Sequence, residues 1–252
     1  MGLKIIALPA GRVRGVPGSG VTFQRNADKT FDLAMMMFAI TGGEHTVMVD
    51  TGTSDPDFVR EQHGYTRFER AEAEEPLRVL ADAGIDPAEV GTVIYTHLHW
   101  DHCSNPELFP NARFIVQKDE LAFAMDPVPI FRKAFQRTAT AQPPILSVLG
   151  QVETIQGRKV IAPGITAVPL PGHTPGSQGV LVETDAGKFL LAGDCIDRYE
   201  NWEGDGATQS HLPSGSFINL IDYYESFEVI EQLGAEVIPG HDPRVLERRV
   251  FG

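Results

Sequence analysis

The sequence predicts two packed β-sheets with helices on their outer faces, an α+β fold. Three observations predict it. Short apolar β-type runs recur in both halves of the chain, and each half carries at least one helical segment with an apolar face. No linker, repeat or low-complexity tract divides the 252 residues. A sheet face needs a cover, and each half supplies both strands and a helix to lie over them. With 42% apolar residues the chain has enough material for one large core, so it reads as a single domain over residues 1–252.

The first-half strands are Lys4–Leu8, Leu33–Ile40, Thr46–Val49, Thr92–Tyr95 and Arg113–Val116, bounded by Gly, Pro and Asp. Gly42-Gly43-Glu44 is the hairpin turn between the second and third of these. Glu75–Ala83 reads as a helix, with Pro76 in its first turn and Gly84 just past its end. Leu77, Leu80 and Ala81 share one face of it. Between Met125 and Gly150, Asp126-Pro127-Val128-Pro129 and Gln142-Pro143-Pro144 bracket Ile130–Ala141, which reads as one amphipathic helix. Phe131 and Phe135 stand four apart, and Arg132, Lys133 and Arg137 are solvated charges. The segment 125–150 as a whole is a candidate lid over a pocket.

The second-half strands are Val152–Ile155, Ile165–Val168, Gly179–Glu183, Lys188–Ala192 and Glu236–Ile238, with a hairpin turn at Asp185-Ala186-Gly187. Ile221–Leu233 is a second clear helix, with Ile221, Tyr224, Phe227, Ile230 and Leu233 as its apolar stripe. It stops at Gly234.

Charge narrows the function. Lys plus Arg number 21 against 34 Asp plus Glu, a net charge of −13. Such a surface repels phosphate backbones and argues against a nucleic-acid partner. No stretch approaches a membrane span. The apolar run at the N-terminus is too short for a signal peptide, and Ile6 stands where a myristoylation signal needs Ser or Thr. Cys103 and Cys195 read as small buried thiols in a reducing compartment, so the expected location is cytoplasmic.

The chemistry begins at residues 96–102, Thr-His-Leu-His-Trp-Asp-His, directly after the strand Thr92–Tyr95. In an extended segment side chains alternate, so His97 and His99 point to the same side. A turn after them swings Asp101 and His102 toward a second point nearby, a pattern that suits two adjacent cations better than one. Partners recur downstream. His173 sits in Pro171-Gly172-His173-Thr174-Pro175-Gly176 after Ile165–Val168. Asp194 ends the apolar run Leu190-Leu191-Ala192-Gly193. His241 follows Val237-Ile238-Pro239-Gly240 and precedes Asp242, which caps the next turn. Each polar residue stands at the C-terminal end of an apolar run, where loops on a rigid scaffold collect catalytic groups. Of the remaining histidines, His45 reads as exposed, His63 as a loop residue and His211 as surface or packing. Met35-Met36-Met37-Phe38 reads as core or pocket wall, and Leu98 and Trp100 as packing.

These motifs, in this order, resemble the metallo-β-lactamase superfamily, and Asp50-Thr51-Gly52 after Thr46–Val49 matches its structural Asp-Thr-Gly turn. Among its branches the chain looks most like the quorum-quenching N-acyl homoserine lactonases. The resemblance implies a four-layer αββα sandwich with two divalent metal ions at one sheet edge. It assigns His97, His99 and His173 to one metal, Asp101, His102 and His241 to the other, and Asp194 as the bridge. Asp50 would bond backbone and orient the ligand loop. Zinc suits this nitrogen-rich set, and iron, cobalt or manganese are compatible with it.

The implied reaction is attack of a metal-bridging hydroxide on a lactone or other small ester carbonyl, with Asp101 as proton shuttle to the leaving alkoxide. One position departs from the lactonase branch. Three residues after the bridging aspartate those enzymes usually carry a tyrosine, and here stands Asp197. Tyr199, two residues further on, is the candidate replacement. Another ester, thioester or phosphoester hydrolase on the same scaffold is the alternative, and a non-catalytic metal-binding module lies further off.

Overall fold

The computed structural model describes residues 2–64 and 67–252. Thirteen strands occur among them: β1 (Lys4–Pro17), β2 (Thr30–Thr41), β3 (Val47–Val49), β4 (Phe68–Glu69), β5 (Thr92–Ile94), β6 (Arg113–Gln117), β7 (Val152–Ile155), β8 (Lys159–Ala162), β9 (Ile165–Pro169), β10 (Gln178–Thr184), β11 (Gly187–Leu191), β12 (Glu236–Ile238) and β13 (Val250–Phe251). They form two mixed sheets. The first has the order β13-β1-β2-β3-β5-β6-β7, with β4 also paired to β1, and the second β12-β11-β10-β9-β8. The helices are α1 (Gly18–Val21), α2 (Pro56–Gln62), α3 (Pro76–Asp82), α4 (Trp100–Cys103), α5 (Lys118–Met125), α6 (Tyr199–Glu203), α7 (Leu220–Leu233) and α8 (Pro243–Arg248).

Alternation along the strands builds the layers. On β2, Ala34, Met36, Phe38 and Ile40 face inward and meet Val180, Val182, Phe189 and Leu191 of the second sheet. Met37 and Ala39 face outward and pack with Val79 and Leu80 of α3 and Ala124 of α5. On the far side, Leu181 and Leu190 pack against Tyr223, Phe227 and Ile230 of α7. This is the expected αββα order of four layers. Each large apolar side chain so buried contributes roughly 1.5–3 kcal/mol.

Several expectations shift. β1 runs on to Pro17 rather than ending at Leu8, because register shifts between Pro9 and Arg12 and between Val13 and Val16 absorb the residues that read as a strand end. Gly11, at φ 111°, lies in the first of these bulges. Ile130–Ala141 is not one amphipathic helix. Pro129–Phe131 form a 3-10 turn, and Gln136 adopts φ 53°, the left-handed region, which interrupts any helix through this run. The helix faces are also offset: α3 buries Pro76, Val79 and Leu80 while Leu77 is exposed, and α7 buries Tyr223 in place of Ile221 and Tyr224.

Candidate metal centre

Topology brings five strand ends together. β3 and β5 are parallel, so Asp50 and the segment from His97 leave the first sheet at one edge. β9 and β11 both run antiparallel to β10, and β12 is parallel to β11, so the residues leading to His173, Asp194 and His241 leave the second sheet at one edge. The backbone N–H of Gln178 donates to the carbonyl of Thr96 at 2.9 Å and closes the two edges on each other. His99 is extended, and α4 then turns Asp101 and His102 to a second position.

All seven expected donors gather there. His97, His99, His173 and Asp194 form one group, and Asp101, His102 and His241 an adjoining one, with the ligand atoms of each group within 4.8 Å of one another. Asp194 joins them, its Oδ1 lying 2.9 Å from His241 Nε2 and 3.1 Å from His102 Nε2, and its Oδ2 3.4 Å from His173 Nε2 and 3.7 Å from His97 Nε2. The imidazoles are oriented from behind: Nδ1 of His102 donates to Asp50 at 2.8 Å, that of His241 to the Ala34 carbonyl at 2.9 Å, and that of His173 to the Ser216 carbonyl at 2.8 Å. Their Nε2 atoms face inward. Asp50, held at φ 61°, also accepts from the N–H and hydroxyl of Thr96, as an orienting residue should.

The donors fit a metal pair. His97 Nε2 is buried without a hydrogen-bond partner, and so is Asp194 Oδ1 despite its two near imidazoles. The donor atoms crowd together, His173 Nε2 lying 3.0 Å from His99 Nδ1 and His102 Nε2 3.2 Å from His241 Nε2. Burial, reinforced by neighbouring imidazoles, holds His97 and His99 well below the usual imidazole range, so they are neutral, as ligands must be. Burial also pushes His241 down, yet Asp194 outweighs it and lifts the group to about 9. A field that draws a proton there favours a cation of any kind.

The structure does not bring Tyr199 to this cluster. Its backbone N–H is pinned to Asp242 at 3.0 Å, and its ring lies under the Arg244 guanidinium at 4.6 Å, against the inter-sheet core. Burial raises its phenol, and the charges that act on it most are Asp242, Glu236, Arg244 and Arg248. Asp197 is buried, its Oδ2 accepting from Ser214 at 2.6 Å, and burial lifts its carboxyl to about 7. Among the described residues, Tyr223 does touch a residue of the cluster, its hydroxyl donating to the Asp194 carbonyl at 2.6 Å. The sequence offered only its helical spacing, and that favoured Tyr224. Glu120 was likewise missed. It is wholly buried behind the ligand loops, and burial lifts its carboxyl to about 7 against the bonds it accepts from Thr174, Leu98 and Gly176.

The histidines and cysteines read from the sequence as non-ligands belong to neither group. His45 is exposed, and His211 stacks on Trp202 at 3.9 Å. His63 lies in the turn that follows α2 and is buried, 4.9 Å from the Trp100 ring. Cys103 and Cys195 are free and buried.

Fold and cluster together define the class: an αββα sandwich with a two-metal donor set at one sheet edge. Residues 36–241 match the family profile of the metallo-β-lactamase superfamily, and the chain belongs to that superfamily. It is similar to the N-acyl homoserine lactonase AttM of Azorhizobium caulinodans, 33% identical over 170 residues, which cover 64% of this chain and 61% of AttM. The match therefore spans less than two thirds of that relative. It is 27% identical over 247 residues to the N-acyl homoserine lactonase AiiA of Bacillus thuringiensis subsp. kurstaki, covering 95% and 93% of the two chains. Among solved structures, an N-acyl homoserine lactone hydrolase with the product N-hexanoyl-L-homoserine at its catalytic metal centre superposes with a TM-score of 0.78, at 22% identity over 97% of this chain and 95% of that one. The dizinc quorum-quenching lactonase AidC gives 0.72, at 18% identity over 96% and 88%. These structural likenesses establish the fold. Among the described residues, no helix is long and apolar enough to cross a membrane.

Proposed function

We propose that the chain is a metal-dependent hydrolase that opens a small lactone, of acyl homoserine lactone type, and so acts in quorum quenching. The observation that carries this reading is the convergence of seven donors from both sheets into two adjoining groups. His97, His99 and His173 would hold one ion, Asp101, His102 and His241 the other, with Asp194 shared. Zinc suits the five imidazoles and two carboxylates. Bound there, two divalent ions would supply Lewis acidity for a carbonyl and an activated water.

The chain's own residues supply the rest. Asp101 is the most exposed carboxylate of the cluster, its Oδ2 3.8 Å from His241 Nε2. From there it can pass a proton to a leaving alkoxide. Phe135 packs on His99 at 4.6 Å, which supports reading the segment 125–150 as a wall or lid of the site within one domain. Two free thiols suit the cytoplasm. Names of relatives add support, since AttM and AiiA are N-acyl homoserine lactonases.

One observation favours the second reading, another ester, thioester or phosphoester hydrolase: position 197 offers a buried carboxyl held by Ser214 where lactonases of this branch offer a phenol. Metal analysis with a pH-indicator screen of lactones, esters, thioesters and phosphodiesters separates the two. We expect acid release from lactones and loss of it with a chelator. Turnover confined to phosphodiesters would overturn the lactonase reading.

A further inference from the structure

Glu120, at the third position of α5, is fully buried and is not one of the seven donors. Its Oε1 accepts from the backbone N–H of Leu98 at 2.8 Å. Its Oε2 accepts from the Thr174 hydroxyl at 2.6 Å and from the N–H of Gly176 at 3.2 Å. Leu98 stands between His97 and His99, and Thr174 directly follows His173. One carboxylate therefore ties together the two segments that carry all three imidazoles of the first group. An apolar side chain in this place would avoid the cost of burying a carboxylate, so the three bonds are what the position gains.

Two independent features show that the junction is built for this approach. A Cβ at Gly176 would collide with the backbone nitrogen and Cα of Glu120, so the turn after His173 needs glycine to lie against α5. The residue before α5 extends the seam. The Gln117 amide donates to Gln178 Oε1 at 2.8 Å, and the Gln178 amide donates to the Tyr95 carbonyl at 2.8 Å, at the foot of the His97 segment. Among the described residues the second group shows no such tie to α5. His102 rests on Asp50 and His241 on Ala34.

We propose that Glu120 is a positioning residue that sets the span between the His97/His99 segment and His173, and thereby how tightly the first metal position holds its ion. The proposal rests on the two-metal reading above. Glu120 acts only through Leu98, Thr174 and Gly176. In Glu120→Gln the amide oxygen keeps the Leu98 N–H, and the amide NH2 then faces the Gly176 N–H, donor against donor. The Thr174 hydroxyl can reverse, but the backbone N–H cannot, so the His173 turn loosens.

The test compares metal-loaded wild type, Glu120→Gln and Thr174→Val by stepwise competition for zinc with a chromophoric chelator, and by the visible spectra of their cobalt forms. Positioning groups around metal ligands typically change affinity by roughly 10–100-fold. We expect one of the two ions to be released that much more readily in Glu120→Gln, with the other step unchanged, one component of the cobalt spectrum altered, and turnover restored by saturating metal. Thr174→Val removes one of the three bonds and should shift the same step less. Wild-type affinities at both steps, with only thermal stability lowered, would overturn the proposal, as would equal weakening of both steps. Should Glu120→Gln fail to fold, Thr174→Val decides by the same criteria. A wild-type chain that binds no zinc would instead sink the two-metal reading, so the two failures are distinguishable.

Discussion

Three of the five cluster imidazoles have their outer nitrogen tied to an oxygen from another segment: His102 to Asp50, His173 to Ser216 and His241 to Ala34. Such ties fix the tautomer and leave the inner lone pair for a cation. Removing a donor should then remove metal and catalysis together. His97→Ala is expected to hold fewer ions per chain by elemental analysis and to lose hydrolysis, and full activity in a metal-poor variant would exclude a metal-dependent reaction. The two tyrosines divide differently. Tyr199→Phe should keep wild-type turnover and metal content, because its phenol lies on the α8 side. Tyr223→Phe strips the partner from the Asp194 carbonyl and from the Ser214 N–H inside the protein. It should cost about 1–3 kcal/mol in denaturant unfolding. All seven donors were legible in the sequence, since each stands at the end of an apolar run and four share residues 97–102. Glu120, Ser214 and Tyr223 were not, because their importance comes from contacts with segments far off in the chain, and no spacing announces those.

At the scale of elements, α7 shows what a periodic stripe leaves undecided. Residues three and four apart fit two adjacent faces equally well, and the sheet beneath selects the one through Tyr223, Phe227 and Ile230, leaving Ile221 72% exposed. The C-terminal end was easier to read, because Gly234 takes the left-handed conformation expected there; at the other end Asn219, not singled out in the sequence, accepts from the N–H groups of Ile221 and Asp222. Asn219→Ala should cost about 1 kcal/mol in chemical denaturation. β1 was half legible for a related reason: its bulges place Pro9, Gly11 and Gly15 inside a strand where they ordinarily end one. The second bulge carries a pH signature. Asp32 accepts from the Gly15 N–H at 3.0 Å and from Arg14 at 2.7 Å, and these hold its carboxyl below the usual carboxylate range. A depressed folded-state pKa gives stability that is present above the unfolded value, about 3.9, and is lost as pH falls through the folded one. Wild type should therefore exceed Asp32→Asn in unfolding free energy at neutral pH, with the gap closing in acid. A gap independent of pH would show that the carboxylate's charge does not matter there.

The whole molecule is held at a seam between two sheets, and the proposed metal centre lies across it. Residues 97–102 hang from the first sheet, and His173, Asp194 and His241 from the second. Across the seam, His99 Nδ1 faces His173 Nε2 at 3.0 Å and His102 Nε2 faces His241 Nε2 at 3.2 Å. Nitrogens that close need a proton or a metal between them, since two bare lone pairs repel. Ions bound there would neutralise Asp101 and Asp194 and link halves otherwise joined by the inter-sheet core and by bonds such as that from Gln178 to Thr96. A ligand that binds only the folded state stabilises it by mass action, about 2.7 kcal/mol at a free concentration a hundredfold above its Kd. The melting temperature should therefore climb with free zinc in a chelator-buffered series and fall when the chelator is in excess. In His241→Ala, which removes a donor of the second group, the climb should be shallower. A melting temperature indifferent to zinc would mean that the seam is complete without metal, and the inward-facing nitrogens would then need another explanation.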